Sequence, residues 1–343
     1  MSVARALGLV RRFFGRLTDM LFVGAALTLA AALYLLVCFL RAPKLAAYPH
    51  YGLVGLGVIA LAELLLYFRV SPVTIYFTPL VWTAYIFVID AAVFSLRQRS
   101  LARSEPGAFI WMAVLSLFLW LIFEGYNLRL LNWQYVGLPR NEYLRYLGYG
   151  WSFATIWPAV LETAEFLMAT QFRSHPAPLA PGWNAPAAEA HPLHLTSTTT
   201  PKPPLKLAWG AMIAGLLMVT VPLLVPRDWG QYMFGWVWLG FILLIDPINR
   251  RAGNPSIAGD LAAGHRARLW SLLIAGGVCG IFWEFWNYWA EAKWLYIFPI
   301  FESWRVFEMP LPGYLGFPPF AIEIFVLYVF AASKLRLPAY ETR

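Results

Sequence analysis

The sequence predicts an all-α, polytopic bundle of transmembrane helices, with about nine spans arranged as two tandem four-helix repeats plus one extra N-terminal span. Three observations lead there. The 343 residues are 60 % hydrophobic and 13 % charged, with a mean hydropathy of +0.60; a soluble chain of this size cannot bury that much apolar surface. Apolar stretches close to the ~20 residues that a span requires recur at 20–40, 51–68, 76–95, 108–127, 152–170, 207–225, 230–247, 269–290 and 314–333. Finally, one pattern of acidic and aromatic residues is written twice. Tyr76, Trp82 and Asp90 return as Tyr232, Trp238 and Asp246, offset by 156 residues. Glu124 and Asn127 return as Glu284 and Asn287, offset by 160, and Trp133, Tyr135, Pro158 and Glu162 return as Trp294, Tyr296, Pro319 and Glu323, offset by 161. Small loop insertions account for the drift.

In chain order, residues 1–19 place Val3, Leu7, Val10, Phe14 and Leu17 on one helical face, with Arg5, Arg12 and Arg16 elsewhere. This is either a basic amphipathic helix at the membrane surface or a basic tail. Residues 20–50 hold the extra span and a loop; that span is too long for a cleavable signal core. Residues 51–173 form the first repeat and 207–334 the second. An even number of crossings in each gives the units parallel orientation about an axis along the membrane normal. Between them, 174–206 carries eight prolines and the run Thr196-Ser197-Thr198-Thr199-Thr200, the composition of a disordered linker. Residues 335–343 form the tail.

All 26 Lys and Arg fall outside the apolar stretches. The net charge of +8 therefore lies beside lipid headgroups, which argues for membrane lipids as partners and against nucleic acid. Fifteen basic residues, from Arg41 to Arg343, lie on one side of the nine-span topology and seven on the other, which places the first side in the cytoplasm. The four N-terminal arginines fall on the opposite side. Arginine outnumbers lysine 21 to 5, the usage of a GC-rich genome, and the expected location is a bacterial inner membrane. Cys38 and Cys279 lie inside apolar segments and read as buried small residues.

The chemistry-bearing residues are acids. Glu63, Asp90, Glu124, Glu162, Glu165, Asp246, Glu284 and Glu323 fall within spans or at their ends, and no Lys, Arg or His accompanies them inside. An ionised Asp at a helix centre costs roughly 2.5–3.5 kcal/mol, so eight such groups facing lipid are excluded. The deeper ones should face inward and be neutral or share protons. Asp90, Glu124, Glu162, Asp246, Glu284 and Glu323 are the candidate catalytic groups. Asn127 and Asn287 follow Glu124 and Glu284 by three residues, on the same helix face, and can bond the carboxyl or hold a ligand oxygen. Pro158 and Pro319 precede Glu162 and Glu323 by one turn and free a backbone carbonyl nearby. Asp90 and Asp246 suit a cap or a partner for Arg97 or Arg250. Trp120, Tyr126, Trp283, Trp286, Trp294 and Tyr296 surround the acids; such rings can stabilise a carbocation or grip an isoprenoid chain, although belts and helix packing also use them. The spans hold no His, and HExxH, GxSxG and P-loop patterns are absent, so no metal and no cofactor is expected.

Carboxylates and a Trp-x-Tyr pair ahead of a Pro-and-Glu helix, in two tandem copies, resemble the small intramembrane carotenoid cyclases. These are the lycopene cyclases built of two homologous multi-span units, and the related terpene cyclases. The likeness is carried by Lys293-Trp294-Leu295-Tyr296 and by Leu315-Gly316-Phe317-Pro318-Pro319-Phe320-Ala321-Ile322-Glu323. In that family paired acids follow the proline more closely; here the gap to Glu323 is longer and the second acid is missing. The resemblance implies a cofactor-independent enzyme that protonates an isoprenoid or carotenoid-like lipid, of cyclase, isomerase or hydratase type. The residues alone leave two alternatives: a proton- or cation-coupled transporter of a hydrophobic substrate, and a structural subunit of a membrane complex, homo-oligomeric or mixed.

Overall fold

A computed structural model describes residues 3–172, 204–297 and 304–337, with side chains from Met20 onward. The described chain is mostly helical. Its helices are α1 Val3–Arg41, α2 His50–Tyr67, α3 Phe77–Arg97, the short α4 Leu101–Ser104, α5 Pro106–Leu130 and α6 Glu142–Thr170. After the linker come α7 Leu205–Leu224, the short α8 Arg227–Gly230, α9 Phe234–Arg251, the short α10 Ile257–Ala262, α11 Ala267–Trp289 and α12 Phe317–Leu335. Of the linker expected over 174–206, residues 174–203 lie outside the described residues, and 204–206 lead into α7. The expected surface helix over 1–19 and the extra span share the single continuous helix α1.

Seven described helices are long and apolar enough to cross a membrane: Met20–Arg41, His50–Tyr67, Phe77–Arg97, Pro106–Leu130, Leu205–Leu224, Ala267–Trp289 and Leu311–Leu335, the last including a 3-10 turn before α12. The protein is therefore a multi-pass helical membrane protein. The expected count of nine is not reached on length and composition. Segments 152–170 and 230–247 form α6 and α9, and both carry charge. Glu162 and Glu165 interrupt α6, while α9 holds Asp246, Arg250 and Arg251. Both still pack as bundle helices. α6 lies against α3, α5, α11 and α12, and α9 against α7 and α12. The peripheral helices α2 and α7 keep most of their apolar surface exposed, whereas α3, α11 and α12 are mostly buried. That is the arrangement expected when lipid, not protein, covers the outer helices.

Two antiparallel ribbons interrupt the helices. Strand β1, Trp133–Val136, follows α5 and pairs with β2, Lys293–Tyr296, which follows α11. A shorter ribbon joins β3 Arg305–Val306 to β4 Met309–Pro310. The first ribbon links positions about 160 residues apart, and its register sets Trp133 opposite Tyr296 and Tyr135 opposite Trp294.

Close helix contacts use glycine, as is common where helices associate without a hydrophobic driving force. A β-carbon on Gly215 would fall 2.5 Å from the Leu244 amide nitrogen and 2.7 Å from the Gly240 carbonyl oxygen. Neither atom can yield without moving α9. Gly215→Leu is expected to destabilise the bundle by about 1–3 kcal/mol and to lower the unfolding midpoint in detergent, followed by circular dichroism. Gly210→Leu, on the same helix but facing open space, is expected to leave the midpoint unchanged.

Candidate functional site

The repeated residues fall into two groups at different levels of the bundle. Around the β1–β2 ribbon the two copies make nearly the same contacts. Asn127 Nδ2 donates to the Trp133 carbonyl at 2.9 Å, and its Oδ1 accepts from the amides of Asn132 at 2.8 Å and Trp133 at 3.1 Å. Asn287 Nδ2 donates to the Trp294 carbonyl at 2.9 Å, and its Oδ1 accepts from the Trp294 amide at 3.0 Å. Each asparagine thus fastens the end of a helix to the strand that follows, and neither lines the cavity beside the ribbon.

The strands in turn hold tyrosines against the acids. Tyr135 Oη donates to Glu124 Oε1 at 2.6 Å, and Tyr296 Oη donates to Glu284 Oε1 at 2.8 Å. Glu124 Oε1 also accepts from the indoles of Trp120 at 3.0 Å and Trp133 at 3.3 Å. In the second copy the Trp294 indole donates to the Tyr296 hydroxyl at 2.9 Å, and Glu284 Oε2 is buried without a hydrogen bond. Burial, followed by the adjacent Glu124, pushes the Tyr135 hydroxyl well above its ordinary value. Burial and Glu284 do the same to Tyr296. Both side chains remain neutral phenols.

Beside this ribbon lies a mainly apolar cavity of about 160 Å³. Its walls take residues from both copies: Trp82, Trp120, Trp133 and Tyr135 from the first, Trp238, Trp283, Trp294, Tyr296 and Phe320 from the second. The rings form a continuous surface. Trp82 and Trp283 have centroids 5.5 Å apart, Trp120 and Phe320 5.9 Å, and Trp238 and Phe320 5.7 Å. The cavity reaches loop residues Leu138 and Pro139 and the cations Arg145 and Lys293; Lys293 is paired with Glu308 at 2.6 Å.

Of the residues expected in the site from the sequence, Trp120, Trp283, Trp294 and Tyr296 line this cavity. Glu124 and Glu284 stand one layer behind, each joined to it through a tyrosine. Tyr126 bonds the Val219 carbonyl at 2.6 Å, tying α5 to α7. The Trp286 indole bonds Glu63 at 3.0 Å. Glu323 is fully buried, with neither oxygen hydrogen-bonded. Trp82, Trp133, Tyr135 and Trp238 also line the wall without having been singled out as ligand contacts. The repeat itself was the signal for them, because Trp133 and Tyr135 are the counterparts of Trp294 and Tyr296.

The remaining acids belong to a separate level. Asp90 is fully buried and accepts from Tyr51 Oη at 2.6 Å, Ser100 Oγ at 2.9 Å and the Ala102 amide at 2.7 Å. Asp246 accepts from the amides of Ile257 at 2.7 Å and Ala258 at 2.9 Å. Each aspartate therefore caps the short helix that follows its own helix, α4 after α3 and α10 after α9. Glu162 lies beside Asp90 with no hydrogen bond of good geometry. The expectation that the deep acids lack a cationic partner is corrected at Glu165, which is ion-paired with Arg97. Arg97 sits at the last turn of α3 and reaches inward. Asp260 and Arg268 form a second, nearly buried pair at 2.5 Å.

No protein-family model, curated protein or solved structure matches the chain.

The asparagine clamps give a graded expectation. Asn127→Ala removes three hydrogen bonds and is expected to destabilise by about 2–4 kcal/mol. Asn287→Ala removes two and is expected to cost less. Unfolding midpoints in detergent check the order, and equal midpoints for the two variants would contradict it.

Proposed function

We propose that this protein is a cofactor-independent enzyme of a bacterial inner membrane, built of two duplicated four-helix units, that acts on an isoprenoid or carotenoid-like chain by carboxyl-mediated protonation. The reaction is of cyclase or isomerase type. One observation carries the reading: an aromatic, mainly apolar cavity has a tyrosine–glutamate pair from each copy at its wall. Ring faces suit an extended apolar chain and stabilise a developing carbocation. A carboxyl behind each tyrosine supplies an acid and a base within reach of one ligand. The dimensions agree as well, since a cavity of about 160 Å³ takes a segment of a polyprenyl chain. The resemblance to the intramembrane lycopene and terpene cyclases points the same way.

A second reading, a proton-coupled carrier of a hydrophobic molecule, draws on Glu162 and Glu323. Both are buried without hydrogen bonds, and both follow a proline by one turn. Incubation of the purified protein with lycopene, phytoene or geranylgeraniol in deuterated water separates the two. The enzyme reading expects deuterium in at least one product, at a rate that falls about 10²–10⁴-fold in Glu284→Gln. No incorporation from any of the three, together with proton uptake by proteoliposomes that disappears in Glu323→Gln or Glu162→Gln, is the result that would favour the carrier.

A further inference from the structure

We propose that the two copies build a single catalytic centre in which Tyr135 and Tyr296 touch the ligand, while Glu124 and Glu284 act through them as positioning residues. The inference rests on the reading that the cavity houses protonation chemistry and states how that chemistry is divided.

The ribbon argues for one centre. Residues directly opposite in an antiparallel pair share a face, and so does every second residue along a strand. Trp133 opposes Tyr296 and Tyr135 opposes Trp294, so all four rings lie on one face. All four line the same cavity. Two independent sites would need the Trp-x-Tyr pairs on separate walls.

Access argues for the tyrosines. Neither Glu124 nor Glu284 lines the cavity, and Glu284 Oε2 is shut away from any space large enough for water. A ligand meets the side chains of Tyr135 and Tyr296 before it can meet either acid. A phenol both donates and accepts, so a proton passes through it without leaving a charge on the ring. The donor sets then divide the labour. Three donors converge on Glu124 Oε1, a set suited to a carboxylate. Glu284 Oε1 accepts from Tyr296, and its second oxygen is bare, a set suited to a carboxylic acid.

The step runs in one direction. The Tyr296 hydroxyl, which donates to Glu284 Oε1 in the resting site, turns toward the bound alkene, and Glu284 then gives its proton to the Tyr296 oxygen as Tyr296 gives its own to an alkene carbon. A C–H bond forms, the π bond breaks, and the neighbouring carbon becomes a cation among the rings. The Tyr135 oxygen then takes a proton from a carbon beside the cation and passes its own to Glu124. The released electron pair forms a new π bond. The product is an isomer of the substrate, and the centre resets between turnovers when the proton on Glu124 returns through Tyr135, water in the emptied cavity and Tyr296 to Glu284.

The test uses the full chain in detergent, with Tyr135→Phe, Tyr296→Phe, the double variant, Glu284→Gln and Glu284→Asp. All-trans-retinol is the binding probe, followed by quenching of tryptophan emission, and deuterium incorporation into product reports the chemistry. Each single Tyr→Phe variant is expected to bind retinol within about 3-fold of the parent and to incorporate deuterium about 100-fold more slowly. The double variant is expected to be no slower than the singles, and Glu284→Asp to recover part of the rate that Glu284→Gln loses. A halved rate in each single variant would mean two independent sites and overturn the proposal. Parent-like incorporation in both Tyr→Phe variants, with loss in Glu284→Gln, would overturn it while sparing the enzyme reading. A parent protein that binds retinol but incorporates no deuterium from any isoprenoid would take down both. Should one Tyr→Phe variant fail to fold by circular dichroism, the other decides alone, because a single centre needs each hydroxyl.

Discussion

The pairing of Trp133–Val136 with Lys293–Tyr296 is the constraint on which the site depends. A two-stranded ribbon is marginal by itself in water. This one is secured from several directions. Asn127 and Asn287 hold Trp133 and Trp294 of the two strands, the Ile297 amide bonds the Asn132 carbonyl at 2.8 Å, and the Glu291 amide bonds the Thr74 carbonyl at 3.0 Å. The Thr74 hydroxyl adds a 2.6 Å bond to the Glu291 carboxyl. Because the two strands come from opposite halves of the chain, the same ladder that joins the halves also sets their tyrosines side by side. Shifting the register by one residue would turn the Trp and Tyr side chains of one strand away from the cavity.

The acids consequently divide into two kinds, although the sequence writes them alike. Glu124 and Glu284 sit behind cavity-facing phenols. Asp90 and Asp246 spend their oxygens on hydroxyls and backbone amides of the segment after their helix, and Glu165 and Asp260 are joined to arginines. Removing one partner of a buried ion pair leaves an uncompensated charge and costs about 3–5 kcal/mol. This level of the bundle therefore works as structural clamping. It also keeps the ends of α3, α6, α10 and α11 in register while the aromatic end remains open to a ligand.

Much of this was legible in the sequence. The apolar stretches located the helices, and the offset copies identified Glu124 with Glu284 and Tyr135 with Tyr296 as matched positions. A local pattern could not reveal that the matched positions meet. Pairing between residues 133 and 296 is a long-range contact, and a Trp-x-Tyr pair in a loop reads equally well as an interfacial anchor. The asparagines were legible as polar groups beside acids, but their partners are main-chain atoms, which carry no sequence signature. Arg97 stands at a span end in the sequence. Its reach to Glu165 depends on how α3 and α6 cross. The charges on α6 and α9 were visible too, and they explain why these helices pack in the bundle yet fall short of spanning hydropathy.

Cysteine cross-linking across the ribbon tests the central claim most directly. Gln134 and Leu295 are opposite each other in the ladder and point away from the cavity-facing rings, at a separation that antiparallel pairs share with disulfides. In the full-length protein carrying Gln134→Cys and Leu295→Cys, mild oxidation is expected to give a peptide joining positions 134 and 295, detected by mass spectrometry. Failure of that pair to join, with Gln134→Cys instead linking readily to a cysteine placed at Trp294, would show a register slipped by one residue and contradict the shared wall.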